Sequence, residues 1–300
     1  MERFGNKYKG ITLAITGSVF WGASGVSAEY LMQRVGISTS WLVSTRMLLA
    51  GIIILSYLLI KKKETAFDLF KEKKDVISIL IFSLVGIICL QFSFFKAIET
   101  SNAATATILQ YLSPIFIVIY YMSESKKIPS KMSLFSITLS VIGTAVLVTK
   151  GDVNSLSISP SGFFWGIMAG VIGAVYIIQP RRIMAKFGTI AVTGWGMMIG
   201  GMIFQLYHPI FRNVPNLDGL SFLLLIVIII FGTVLSYICL LQSTRYIPAQ
   251  FSSLLTSFEP LSSALFSSLF LGLVILPIEI IGMAVIIFSV FLLSRNGDIE

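Results

Sequence analysis

Charge is what this chain has least of. Asp, Glu, Lys and Arg make up 12% of its 300 residues, against about 25% in a soluble globular protein. With 56% hydrophobic residues and a mean hydropathy of +0.91, that shortage excludes a soluble domain and identifies an integral membrane protein. The net charge of +8 would otherwise suggest nucleic acid, but its distribution along the chain speaks for membrane topology. Cysteine is nearly absent. Cys89 and Cys239 both lie inside apolar runs, where they read as small hydrophobes and exclude a disulfide or metal framework. The one histidine, His208, stands beside Pro209 at the end of an apolar run and reads as an interface anchor. No HExxH pair is present, and no serine at depth has a histidine partner, so no catalytic residue, metal or cofactor is expected. Filter-like repeats are missing, which argues against a channel, and a sensor would need an output domain that this composition does not provide.

What the chain does have is long apolar runs. About 20 apolar residues suffice to cross a core about 30 Å thick, and ten such spans can be drawn: 11–31, 40–60, 75–95, 103–122, 131–149, 162–180, 189–208, 219–242, 249–271 and 276–294. Of the 22 Lys and Arg, seventeen fall on the side of the N-terminus, four on the other side, and Arg46 within the second span. The positive-inside rule then places both termini in the cytoplasm of a cell-membrane protein. Arg3, Lys7 and Lys9 ahead of an apolar run, with Val26-Ser27-Ala28 beyond it, have the outline of a signal peptide; cleavage there would leave the first half one span short of the second.

Two stretches organise the rest. Residues 249–272 are long and apolar enough to cross a bilayer, yet carry Glu259 and Pro260 side by side near the middle. A carboxylate at that depth costs on the order of 3 kcal/mol on insertion scales, and proline removes a backbone donor. Such defects persist only where they face protein or a wet cavity. Residues 102–122 carry Pro114 in the matching place, and an offset of 146 maps Pro114 onto Pro260. The same offset maps Gly86 onto Gly232, Gly151-Asp152 onto Gly297-Asp298, Gln91 onto Tyr237, Gln110 onto Thr256 and Ser113 onto Glu259. Residues 1–150 and 151–300 therefore read as two copies of one unit, joined by the polar, turn-rich stretch at 150–160. Each copy has five spans. Because five is odd, the copies cross the membrane in opposite senses: an all-α membrane protein of ten helices as a 5+5 inverted repeat, with a substrate site at the repeat interface.

Residues three or four apart share a helix face, and such faces gather polar and aromatic groups at mid-depth. They comprise Trp21 and Ser24 in the first span, Gln91 in the third, Gln110 in the fourth, Tyr176 with Gln179 in the sixth, Tyr237 in the eighth, and Thr256 with Glu259 in the ninth. This set suits a cavity that stacks an apolar group and hydrogen-bonds a polar head. Pro114 and Pro260 mark helix breaks. Two readings of Glu259 stand: a group that carries a coupling proton or a substrate amine, or a neutral carboxyl satisfied by backbone that Pro260 frees. Glu29, Arg46, Lys96 and Glu99 form a second set near the outer span ends. Lys96 and Glu99 are at pairing distance on a helix, and Glu29 with Arg46 is a candidate outer gate.

The run from Phe95 to Pro114, FKAIETSNAATATILQYLSP, then Gly143, then Phe258-Glu259-Pro260, Leu271-Gly272 and Gly282, together with Trp21-Gly22 and Arg46, resembles the drug/metabolite transporter superfamily, in particular its ten-helix EamA-type exporters with two EamA repeats. The resemblance covers nearly the whole chain. It departs where the family commonly has a glutamate after the proline-bearing helix: Lys127 and Leu273 stand there, with Glu124 three residues early. The resemblance implies export of small metabolites or amino acids by alternating access; an uptake carrier or an exchanger of organic anions remains the alternative. The expected partners are a small-molecule substrate, the lipid bilayer and, as candidate coupling ion, the proton, with no nucleic acid. Monomer and homodimer both stay open.

Overall fold

The computed structural model describes residues 2–62, 66–125, 130–150, 158–247, 252 and 255–295. Among them every regular element is a helix. In chain order these are α1 (Glu2–Gln33), α2 (Thr39–Lys62), α3 (Lys73–Thr100), α4 (Ala103–Gln110), α5 (Ser113–Ser125), α6 (Lys131–Thr149), α7 (Pro160–Ile178), α8 (Arg181–Phe187), α9 (Thr189–Tyr207), α10 (Gly219–Ser243), α11 (Phe258–Leu271) and α12 (Pro277–Arg295). Seven stretches are long and apolar enough to cross a membrane; α4 and α5 together make one of them. Three shorter apolar helices, at Lys131–Leu147, Phe258–Leu271 and Pro277–Leu292, fall where the fifth, ninth and tenth spans were expected. The start of the ninth span, Lys127, Gly151-Asp152 and Gly297-Asp298 lie outside the described residues.

Helix ends follow their capping residues. The side chains of Asn102, Ser130, Ser159 and Asp218 each accept a hydrogen bond from the N–H three residues on, which satisfies one of the open donors of a first turn. Hydrogen bonds from the Ser221 hydroxyl and then its N–H hold the exposed Asp218 carboxyl below its usual range. Gly272 ends α11 in the left-handed region at φ 71°.

With no hydrophobic drive between helices in lipid, close approach of small residues holds them together. A Cβ on Gly51 of α2 would lie 2.7 Å from the Met198 backbone N of α9, and one on Gly201 of α9 would lie 2.8 Å from the Leu48 N of α2. Gly22 of α1 sits against the Glu259 carbonyl and the Ser263 N of α11, and Gly143 of α6 against the Gly282 carbonyl of α12. Gly166, Gly170 and Gly173 seat α7 on Leu109, Phe116 and Ser113, around the junction of α4 and α5.

Two features recur near the 146-residue offset. Both α3 and α10 contain a π-helical segment, Phe82–Ile88 and Val227–Leu235, and these enclose Gly86 and Gly232. The chain also turns at Tyr111-Leu112 and again at Thr256-Ser257. Pro114 and Pro260 follow those turns, each in the first turn of a new helix, where a missing N–H costs nothing. Cys89 is exposed on the outside of α3 rather than buried.

Candidate functional site

The centre of the molecule holds a charge that the sequence reading put at the outer edge. Arg46 is 6% exposed. Its Nε donates to Thr233 Oγ1 at 2.9 Å, its Nη1 to Gln91 Oε1 at 3.0 Å and its Nη2 to the Gly232 carbonyl at 3.2 Å. The face of Phe95 lies 4.9 Å away. A guanidinium has five N–H groups, so two are left without a partner among the described residues. None of the three acceptors is an acid. The π-helical segment of α10 explains how Gly232 can accept: widening the turn shifts carbonyls out of the ordinary ladder, a distortion common at functional sites. Thr233 sits in the same segment.

Glu259 approaches from α11. The guanidinium of Arg46 and the carboxylate of Glu259 feel each other's charge, without a direct ion pair. The carboxylate of Glu259 accepts no hydrogen bond among the described residues; its backbone N–H donates to Thr256 O at 2.9 Å and its carbonyl accepts from Ser262. The backbone group that Pro260 leaves open, the Thr256 carbonyl, is therefore taken by the Glu259 N–H rather than by its side chain.

Aromatic groups close the cluster. The hydroxyls of Tyr176 on α7 and Tyr237 on α10 share a hydrogen bond at 2.8 Å, and Trp21 on α1 meets the Tyr237 ring edge-on at 5.5 Å. Tyr237 interacts with both Arg46 and Glu259. Beside Tyr237 opens an aliphatic cavity of about 140 Å³ lined by Ile53, Ile54, Val234, Ile238 and Leu241.

Of the residues expected from sequence, Trp21, Gln91, Tyr176, Tyr237 and Glu259 are thus brought together. Ser24 is next to them in packing: a Cβ on Gly232 would stand 2.1 Å from the Ser24 Cβ, so the serine lines the contact between α1 and α10. Thr256 lies in the turn before α11. Gln110 ends α4, and what the structure records there is its carbonyl, which accepts from Ser113 Oγ at 2.6 Å; its side chain does not join the Arg46 cluster.

The expected gate between Glu29 and Arg46 does not form. Glu29 Oε2 accepts from the Ala103 N–H at 2.7 Å and from Ser267 Oγ at 3.2 Å. It therefore ties α1 to the N-terminus of α4 and to α11, where a helix end favours negative charge. Lys96 does pair with Glu99, which also accepts from Thr39. Sequence reasoning placed Phe95 beside Gln91 in the third span but missed Arg46 as a central residue and Thr233 altogether; the matched pair Gly86 and Gly232 was the available signal.

The model of the EamA-like transporter family matches residues 8–149 and again 160–295. The inner membrane transporter YicL of Salmonella typhimurium is 37% identical over 293 residues, covering 98% of this chain and 97% of that one. The threonine/homoserine exporter RhtA of Escherichia coli K12 is 24% identical over 209 residues, covering 69% of this chain and 68% of that one. A solved structure at 16% identity superposes with a TM-score of 0.61 over 98% of each chain, which speaks for the fold alone. The chain is a multi-pass membrane protein and belongs to the EamA-like transporter family.

Proposed function

We propose that the protein is a secondary transporter that exports small zwitterionic metabolites, amino acids foremost, across the plasma membrane. Substrate reaches the Arg46–Glu259 cluster alternately from each side. The reading takes residues 1–150 and 151–300 as two five-helix repeats inserted in opposite senses, with both termini in the cytoplasm.

The observation that carries it is an arginine from one half and a glutamate from the other that feel each other's charge without forming an ion pair. Among the described residues Arg46 keeps two N–H groups without a partner and has no acid in contact, which suits a substrate carboxylate. Among the described residues no donor reaches the Glu259 carboxyl group, which suits an ammonium group or a proton. One carboxylate cannot hold both at once, so substrate amine and proton exclude each other. Export of substrate is thereby tied to import of a proton. Trp21, Tyr176 and Tyr237 supply the wall, and the aliphatic cavity beside Tyr237 suits the substrate's apolar part. That RhtA is named as a threonine/homoserine exporter supports the same substrate class.

Exchange of organic anions is the second reading, favoured because none of the Arg46 acceptors among the described residues is an acid. Efflux of preloaded, labelled amino acids and dicarboxylates from proteoliposomes, with and without an inward proton gradient, separates the two. The main reading expects gradient-dependent amino-acid efflux. Efflux of dicarboxylates alone would replace it with the second reading, and efflux of neither would remove both.

A further inference from the structure

We propose that α8 is the latch of a cytoplasmic gate, and that lifting Arg181–Phe187 off the start of α3 opens the way from the cytosol to the Arg46–Glu259 site. The inference rests on the transport reading for its role in the cycle, though not for the motion itself.

Three layers run inward between α3 and the segment from Tyr176 to Lys186. In the outermost, the Asp75 carboxylate is 1% exposed. It takes Arg182 Nη2 at 2.5 Å and Lys186 Nζ at 2.7 Å, while Lys186 also reaches Glu72 at 2.6 Å. One turn deeper, Gln179 Nε2 donates to the Ser78 carbonyl at 3.0 Å and lies 3.2 Å from its hydroxyl. One turn deeper again, the rings of Phe82 and Tyr176 lie 5.2 Å apart, and Tyr176 bonds Tyr237 in the site. The residues 75, 78 and 82 on one strand of this zipper face 182, 179 and 176 on the other, so parting the two helices exposes the site in sequence.

The latch has its own hinges. Pro180 precedes α8 and has no N–H to continue the helix from α7. Gly188 follows it at φ 84°, with open space where a Cβ would point, a conformation that favours glycine. The charge arrangement also suits a latch rather than a fixed brace. Arg182 and Lys186 are 60% and 43% exposed, so they return to water readily, and only Asp75 has to be hydrated on opening. Ile183, on the underside of α8, is fully buried and reports the motion.

The test uses the full-length protein in oriented membrane vesicles, with Cys89→Ala and Cys239→Ala as background. In the first arm, Ile183→Cys is exposed to a membrane-impermeant maleimide from the cytoplasmic face. Adding Asp75→Asn should raise the labelling rate about tenfold, the factor that corresponds to about 1.4 kcal/mol of closed-state preference. An unchanged rate overturns the latch, whether or not any substrate is known. In the second arm, Glu72→Cys and Lys186→Cys, whose parent side chains meet at 2.6 Å across the same seam, are bridged by a short, disulfide-containing bismaleimide. Efflux of labelled threonine should stop and return when the bridge is reduced. Full-rate efflux from the bridged protein overturns the gate while leaving the transport reading intact.

Discussion

Replacing Arg46 by lysine keeps the charge and removes the fork. The guanidinium reaches acceptors on two helices at once, Gln91 on α3 and Thr233 with Gly232 on α10. A lysine ammonium is a compact point charge on a flexible stem, and it replaces one of those three bonds. Two charge-assisted bonds are then lost, at about 1.5 kcal/mol each on the low side. That sums to about 3 kcal/mol, or roughly a hundredfold in an equilibrium constant. Part of the loss loosens α3 against α10, and part disorders the carboxylate site. Threonine efflux from proteoliposomes, measured on protein of matched folded content, should show KM raised at least tenfold at little-changed Vmax. A lower melting temperature with KM within twofold of the parent would refute the reasoning, because Arg46 would then only brace the helices.

Three further outcomes follow. Glu259→Gln keeps the shape but cannot ionise, so efflux should lose its dependence on an inward proton gradient; gradient-driven efflux at the parental level would remove Glu259 from coupling. Tyr176→Phe removes one hydroxyl from the bond to Tyr237, a change of about 1 kcal/mol, and should lower the melting temperature by a few degrees while shifting KM several-fold; an unchanged KM would remove Tyr176 from the substrate wall. Gly51→Leu drives a side chain into the Met198 backbone of α9; overpacking costs about 1–3 kcal/mol or more, so folded yield and melting temperature should both fall, and a parental melting curve would contradict the close contact of α2 and α9.

The sequence announced its defects better than its partnerships. Glu259, Pro260 and Pro114 are visible because each breaks a rule of the bilayer, and the structure places a turn before each proline. Tyr176, Tyr237, Gln91 and Trp21 are visible because helical spacing puts them at one depth. Arg46 was legible as a residue but not as a neighbour. Counted along α2 it stands near an end, yet its long side chain reaches Thr233 across the bundle, and spacing within one helix says nothing about that reach. Glu29 failed as a gate for the opposite reason. Its sequence partner was chosen by charge, while the open N–H of Ala103 at a helix start was the nearer claim on it. Gly86 and Gly232 were noted as a matched pair, but only the coordinates reveal the π-helical segments around them and the carbonyl that Gly232 lends to Arg46.

Counting protons tests most directly whether one site takes substrate through Arg46 and Glu259. Purified protein in lightly buffered detergent is mixed with saturating threonine, and the pH change is read against the amount bound. The account predicts proton release on binding by the parent protein, none by Glu259→Gln, and none when threonine is replaced by its N-acetyl derivative. Tight binding of threonine with no proton released, or equal release by Glu259→Gln, would contradict it.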